Sequence, residues 1–161
     1  MEQQSNEASK QPATARYGFR NLVIWQRGQE LALQVIRMTE RLPHTVAART
    51  IARQIVASSG SVSANIVEGH GRYSVAAYRN HLSIARGSVA ETESWIDLLR
   101  RADHIGAGLE QDLVRRCQEL IAGLTSQMRL LERKLRSEGH GKIGEGEAFY
   151  GAERQVACDD D

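Results

Sequence analysis

The chain has 161 residues, of which 41% are hydrophobic, and its 21 Lys and Arg nearly balance its 20 Asp and Glu. This length fits one domain with tails, and no apolar run approaches the roughly 18 residues that a membrane span needs. Cys117 and Cys158 are too few for a disulfide framework, and the polar N-terminus has no signal-peptide core. The sequence therefore predicts a cytoplasmic protein without a membrane partner.

The net charge of +1 hides an uneven distribution. Residues 16–136 hold 18 basic and 11 acidic residues, whereas residues 137–161 hold 2 basic and 7 acidic residues. Arginine supplies 18 of the 21 basic residues, and its planar fork suits phosphate, although a GC-rich gene would give the same excess. A basic domain followed by an acidic tail is predicted.

Residues 1–16 are rich in Gln, Ser and Ala, which predicts a disordered N-terminal tail. The first helix is predicted from Asn21, as its N-cap, to Arg41, because Pro43 follows. Its apolar residues cover more than the single stripe that a bundle helix buries. This extra apolar surface suggests that another subunit covers the helix on a second side.

Side-chain caps bound the next two predicted helices. The second helix is predicted to span Val46 to Glu68, with Thr45 as its N-cap and Gly69 as its stop. The third helix is predicted to follow Ser74, a good N-cap, and to continue to Ala102.

A hairpin of these two helices about Gly71 predicts their register. Paired residue numbers then sum to about 142, twice 71. That register places Ser88 beside Gln54 and Glu91 within reach of Arg53. The sequence therefore predicts a polar layer of these four residues that fixes how the two helices pack.

The fourth helix is predicted from Leu109 to Arg136, with leucines on one face. Its opposite face contains four arginines and no acidic residue: Gln111, Arg115, Gln118, Ala122, Ser126, Arg129, Arg133 and Arg136. Such a face fits contacts with a phosphate backbone, and the lack of aromatic residues between the arginines argues against base stacking. The alternative is a solvated face whose charges Glu119 and Glu132 balance.

Five glycines and seven acidic residues in 137–161 predict a flexible acidic tail.

The sequence gives little support to an enzyme. The chain has no Glu-x-x-His pairs of the kind that hold metals in helical bundles, and no phosphate-binding Gly-Lys-Ser/Thr loop. The sequence thus predicts a non-enzymatic protein with no catalytic residue, no metal and no cofactor.

Two blocks of residues show a family resemblance. The blocks are Asn65, Ile66, Glu68 and Gly69, and then, about twenty residues on, Ala85, Arg86, Gly87, Ser88 and Glu91. Together with Phe19, Leu22 and Trp25 they resemble the four-helix-bundle family first noted in open reading frames within intervening sequences of bacterial 23S ribosomal RNA genes. The resemblance covers about residues 19–135.

This resemblance implies an all-α, antiparallel up-down four-helix bundle that assembles into a ring oligomer, usually a homopentamer. The family is similar to the accessory variability protein of diversity-generating retroelements, whose basic barrel binds nucleic acid and partners a reverse transcriptase. Family members commonly carry a basic pair shortly after the glutamine of the second helix. Here Ile55, Val56 and Ala57 follow Gln54, so any nucleic-acid contact shifts to the fourth helix.

The family signature also has a structural interpretation, which we favour over ligand binding. Its polar and glycine residues lie where they can satisfy helix ends or permit close packing: Asn65, Glu68, Gly69, Gly87, Ser88 and Glu91.

The leading hypothesis is a non-enzymatic oligomeric bundle of residues 17–136 that binds RNA or DNA through phosphate contacts. The predicted contacts come from the fourth helix: Arg115, Arg129, Arg133 and Arg136. Its predicted partners are other copies of the chain, nucleic acid, and a nucleic-acid enzyme such as a reverse transcriptase. The alternative hypothesis is a protein-interaction or assembly module with no nucleic-acid role, in which the basic face meets an acidic partner or the chain's own tail.

Overall fold

A computed structural model of the protein describes the backbone of residues 18–146 and the side chains of residues 18–137. The predicted N-terminal tail, 1–16, and the last part of the predicted acidic tail, 147–161, lie outside the described residues. In the described part of the chain, no helix is both long and apolar enough to cross a bilayer.

Four α-helices and a short 3-10 helix make up the described backbone, which contains no strand. The 3-10 helix is Phe19–Asn21, and the α-helices are α1 (Val23–Thr39), α2 (Val46–His70), α3 (Val75–Arg101) and α4 (Ala107–Gly146). α1 packs against α2 and α4, and α3 packs against the same two helices. The described residues therefore form the all-α four-helix bundle that the sequence predicts.

The core lies between the four helices, each of which contributes one apolar stripe. Its largest fully buried side chains are Leu31, Val35, Ile55, Val62, Ile66, Leu82, Val89, Ile96, Leu99, Leu113, Leu120 and Leu124. Burying a side chain of this size contributes about 1.5–3 kcal/mol, which exceeds the differences in helix propensity between residues. Packing therefore stabilises even α2, whose middle is rich in Ser and Gly.

The start of α1 differs from the prediction. Asn21 belongs to the 3-10 helix, so the N-cap position falls on Leu22, which makes no side-chain capping bond. The rings of Phe19 and Trp25 meet edge to face, with centroids 5.1 Å apart, and hold this first turn against the helix. The helix then ends at Thr39, before its predicted end.

Side-chain caps confirm the predicted starts of α2 and α3. The Thr45 hydroxyl accepts a hydrogen bond from the amide of Ala48 at 3.1 Å, and the Ser74 hydroxyl accepts one from the amide of Ala77 at the same distance. Each cap satisfies one of the amides that a helix start leaves without a partner.

Gly69 does not stop α2, so that prediction is wrong. α2 continues through His70, and the C-cap position falls on Gly71. Gly69 is buried, and a Cβ there would lie 2.6 Å from the Cβ of His81 and 2.9 Å from Cδ2 of Tyr78. The close approach of α3, rather than helix termination, therefore requires glycine at this position.

Pairs of hydroxyl groups define the register between α2 and α3. The Ser61 and Ser88 hydroxyl oxygens lie 3.1 Å apart, and those of Ser58 and Thr92 lie 2.9 Å apart. The residue numbers of these pairs sum to 149 and 150 instead of the expected 142. Small side chains on α2 thus let α3 approach closely enough for short hydroxyl groups to meet.

The predicted polar layer between α2 and α3 is therefore wrong. Arg53 and Gln54 are exposed, and the Glu91 carboxylate accepts a hydrogen bond from Nε1 of Trp95 at 3.3 Å. The prediction placed the centre of the hairpin at Gly71, whereas the turn between the helices occupies residues 71–74. The small residues of α2 shift the register further from the predicted one, because α3 packs most tightly where they lie.

α4 extends beyond its predicted end at Arg136. Its backbone remains helical to Gly146, so the predicted flexible tail does not begin at residue 137. Four glycines lie in 137–146, but no proline interrupts the backbone hydrogen bonds there.

We expect Gly69→Ala to lower the free energy of unfolding by about 1–3 kcal/mol, because the added methyl group overlaps atoms of α3. Gly60→Ala is the matched control in the same helix, since a Cβ there meets nothing within 4 Å. This control should be neutral or raise stability by about 0.5–1 kcal/mol. Urea unfolding of both variants measures the difference, and equal effects would contradict the close-packing role of Gly69.

Candidate nucleic-acid interface

The outer face of α4 is exposed as the sequence predicts. Leu113, Cys117, Leu120 and Leu124 are buried against the other helices. The opposite face is exposed along its whole described length: Gln111, Arg115, Gln118, Ala122, Ser126, Arg129, Arg133 and Arg136. The local charge balance changes along this face.

Arg115, near the start of α4, is paired with two carboxylates. Its guanidinium lies 2.5 Å from Asp112 and 2.7 Å from Glu119, and Asp112 also accepts a hydrogen bond from Arg116 at 2.8 Å. The hydrogen bonds from Arg116 and then from Arg115 lower the pKa of Asp112. Arg115 therefore faces solvent with its charge balanced, as the alternative interpretation of this face expects of Glu119.

Arg129 and Arg133 have a different environment. Both side chains are exposed, and neither has an ion-pair or hydrogen-bond partner within residues 18–137. Glu132 is the neighbouring acid on α4, but its carboxylate forms an ion pair with Arg79 of α3. Glu132 is therefore engaged across the bundle and forms no ion pair with either arginine.

An open groove of about 740 Å³ runs beside these arginines. The described side chains that line it all belong to α4: Ala122, Thr125, Ser126, Arg129, Glu132, Arg133 and Arg136. Ala122 and Ser126 leave space in the groove because their side chains are small. The hydroxyl groups of Thr125 and Ser126 add hydrogen-bond donors to the guanidinium groups, and this combination suits phosphate oxygens.

A further arginine, Arg86, lies on α3 at the level of this groove. Two ion pairs, Arg79–Glu132 and Arg100–Glu110, set the antiparallel register of α3 and α4. Arg86 follows Arg79 by two helical turns, so it lies level with Thr125, two turns before Glu132. Arg86 is exposed and has no described ion-pair partner. The sequence alone does not reveal this position, because it depends on the register between helices.

Most signature residues have contacts that fit a structural role. Nδ2 of Asn65 donates to the Ser61 carbonyl oxygen at 2.8 Å, so Asn65 stabilises α2 itself. Glu68 pairs with Arg72 and lies 3.9 Å from Nε2 of His81, beside the turn into α3.

Gly87 is an exception among the signature residues. It is exposed, and a Cβ at this position would meet no atom within 4 Å, so the expected close approach within the chain is wrong. A contact that requires glycine here has to come from outside the described residues.

No group of three or more His, Cys, Asp and Glu side chains in the described range is arranged to hold a metal. Cys117 is buried, and burial, with a smaller contribution from Glu93, raises the pKa of its thiol to about 12. The thiol therefore stays protonated at neutral pH and packs as a small apolar side chain.

A second exposed surface is apolar and lies on α1. The relative exposures of Leu33 and Ile36 are 46% and 42%. A groove of about 410 Å³ lies next to this surface, between Trp25 of α1 and the small residues Gly60 and Ala64 of α2. The additional apolar face predicted for the first helix is therefore present in the structure.

The fold and the outer face of α4 define the class of protein: a four-helix bundle with an arginine-lined groove. The model of the 23S rRNA-intervening sequence protein family matches residues 20–126, and the chain belongs to that family. The family resemblance seen in the sequence is thus confirmed. No curated protein matches the chain.

A solved structure supports the same assignment. The chain is similar to a protein of unknown function from the S23 ribosomal protein family of Bacteroides thetaiotaomicron, with 27% sequence identity and a TM-score of 0.62. The match covers 66% of this chain and 98% of the other protein. The similarity supports the four-helix fold described above.

We expect the pKa of the Asp112 carboxyl to lie below its usual value, and Arg116→Ala to raise it more than Arg115→Ala does. The hydrogen bond from Arg116 is the larger cause of the lowered pKa. Any stability from these contacts is present above the unfolded-state pKa of about 3.9 and is lost as the pH falls through the folded-state value. Carbon-detected NMR titration measures the pKa, and an unshifted Asp112 would contradict the pairing.

Proposed function

We propose that the protein is a non-enzymatic, oligomeric helical bundle that binds RNA or DNA through phosphate groups. The observation that supports this proposal is the pair of exposed arginines, Arg129 and Arg133, beside an open groove. Their nearest acid, Glu132, is engaged by Arg79 of α3. A chain of phosphates would supply ion-pair partners to these two guanidinium groups, which have none among the described residues.

The chemistry of the groove favours contacts that do not depend on sequence. Guanidinium and hydroxyl groups donate hydrogen bonds to phosphate oxygens, and these contacts position a nucleic acid without reading its bases. No aromatic side chain lines the described groove to stack on bases. We therefore propose that binding depends on backbone charge and on how closely the phosphates are spaced.

The contribution of the four predicted arginines is unequal in this proposal. Arg115 already shares its charge with Asp112 and Glu119, so a phosphate would have to compete with two carboxylates. Arg129 and Arg133 have no such competition. We propose Arg86 as an additional contact from α3, because it lies level with Thr125 of the groove.

We further propose that the chain forms a ring of identical subunits, with the exposed apolar face of α1 in the contact between neighbours. A ring needs a heterologous interface, in which two different faces of the same chain meet. Trp25, Leu33 and Ile36 supply one apolar face. The open position Gly87 on α3 supplies a second, different surface on which a neighbour's helix fits closely.

The family resemblance leads us to propose five subunits and a role as an accessory to a nucleic-acid enzyme, such as a reverse transcriptase. The alternative function is an assembly module that binds other proteins and no nucleic acid. The exposed apolar surface of α1 supports that alternative as well, because it fits a protein partner of either kind.

Replacing both groove arginines, in Arg129→Ala/Arg133→Ala, should weaken binding to a single-stranded RNA about tenfold or more near 50 mM salt. The slope of log affinity against log salt should become shallower by about 1.4, because two phosphate contacts are lost. Fluorescence anisotropy with a labelled RNA measures both quantities.

The matched control for this test is Arg37→Ala/Arg41→Ala, which removes the same charge from exposed positions on and after α1. It should change affinity by less than about threefold, through net charge alone. Equal losses in the two double variants would contradict a located site. If the unmodified protein does not bind RNA or duplex DNA at low salt, the assembly-module alternative is favoured.

The oligomer is tested separately with Leu33→Glu, which places a carboxylate in the exposed apolar face of α1. Because Leu33 is 46% exposed in the single chain, the substitution should leave the helical content of the monomer intact. Light scattering after size exclusion should show the mass fall from that of an oligomer to that of one chain. Arg27→Glu changes an exposed residue about 120° around the same helix from Leu33 and should leave the oligomer in place. An unmodified chain that is monomeric at all concentrations would contradict the proposed ring.

A further inference from the structure

The segment that follows α4 has the opposite charge to the groove. Residues 147–161 contain five acidic residues and one basic residue, Arg154. Three of the five acids are consecutive: Asp159, Asp160 and Asp161. The groove on the same helix presents Arg129 and Arg133 to solvent without a described acidic partner.

The length of this segment is sufficient to reach the groove. Arg133 lies thirteen residues before Gly146, which is about 20 Å along a helix that rises 1.5 Å per residue. The fifteen residues after Gly146 span up to about 50 Å when extended. A segment of this length that reverses direction after the helix is therefore long enough to bring its last acids to Arg129.

We infer that the acidic segment 147–161 occupies the arginine groove of α4 and competes there with phosphate. This inference rests on the proposed function, since it concerns the regulation of the same site. Carboxylates accept the same charge-assisted hydrogen bonds from guanidinium groups as phosphate oxygens do. The segment therefore acts as a tethered competitor that a high density of phosphates displaces.

The size of the effect follows from the tether. A short flexible connection gives an effective concentration in the millimolar range. A segment that binds the groove with a dissociation constant of about 0.1 mM at an effective concentration of about 1 mM lowers the affinity for phosphate about tenfold. Salt weakens both interactions, so the inhibition should be largest at low ionic strength.

The test uses the full chain with the five acids of the segment replaced by amides: Glu147→Gln, Glu153→Gln, Asp159→Asn, Asp160→Asn and Asp161→Asn. A single-stranded RNA probe should bind this variant about five to ten times more tightly than the unmodified chain near 50 mM salt. The control Glu30→Gln/Glu40→Gln removes two exposed acids, one on α1 and one directly after it, and should change affinity less than about twofold.

A second measurement detects the contact without nucleic acid. A nitroxide attached to Cys158 should broaden the NMR signals of Ser126, Arg129 and Arg133, and the broadening should disappear in the amide variant. Cys117 does not take the label, because its thiol is buried and protonated.

The outcomes separate the inference from the proposed function. Broadening together with tighter RNA binding by the amide variant supports both. RNA affinity that is equal in the two chains, or broadening that is absent, overturns the inference and leaves nucleic-acid binding in place. Broadening without RNA binding in any variant supports occupation of the groove and overturns the proposed function.

Discussion

The close contact of α3 with Gly69 helps to determine which charged side chains of α3 and α4 face each other. A glycine at this position lets α3 lie against the end of α2, and this contact acts with the Ser61–Ser88 and Ser58–Thr92 hydroxyl pairs to set the register of the hairpin. With α3 fixed, Arg79 faces α4 and engages Glu132. Because Glu132 pairs with Arg79, Arg129 and Arg133 have no ion-pair partner among the described residues. A steric requirement in one helix pair thereby sets the electrostatics of a surface on another helix.

Local features of the sequence predicted much of this structure, and features that depend on tertiary packing were missed. The apolar periodicity, the Thr45 and Ser74 caps and the exposed face of α4 are local, and each is confirmed. The predicted register of α2 and α3 was wrong because the prediction assumed a hairpin centred on Gly71. The observed register depends instead on how closely small residues on the two helices pack. Arg115 pairs with acids three and four residues away along α4. A helical wheel places these acids outside the arginine face, but the arginine side chain is long enough to reach them.

The family match and the groove describe different parts of the chain. The family model covers residues 20–126, which includes the signature residues and Arg115. Arg129, Arg133 and Arg136 follow that region, so the arginines of the groove are not explained by family membership. The signature residues other than Gly87 instead make contacts that stabilise helices or fit them together. The family therefore accounts for the fold, whereas the proposed binding depends on the C-terminal part of α4 in this chain.

The number of arginines in one groove limits what one subunit can achieve, and this makes the proposed ring important. Two or three exposed guanidinium groups give a weak, strongly salt-dependent site for a polyanion. The negative end of the α4 dipole does not weaken phosphate binding further. Its effect falls off within the last turn, and Arg133 lies more than three turns before Gly146. When several copies of the groove face one strand, each further contact becomes intramolecular and the binding constants multiply. On this argument, assembly through α1 and phosphate binding at α4 are two parts of one function, and a subunit that cannot assemble should bind nucleic acid poorly even with every arginine in place.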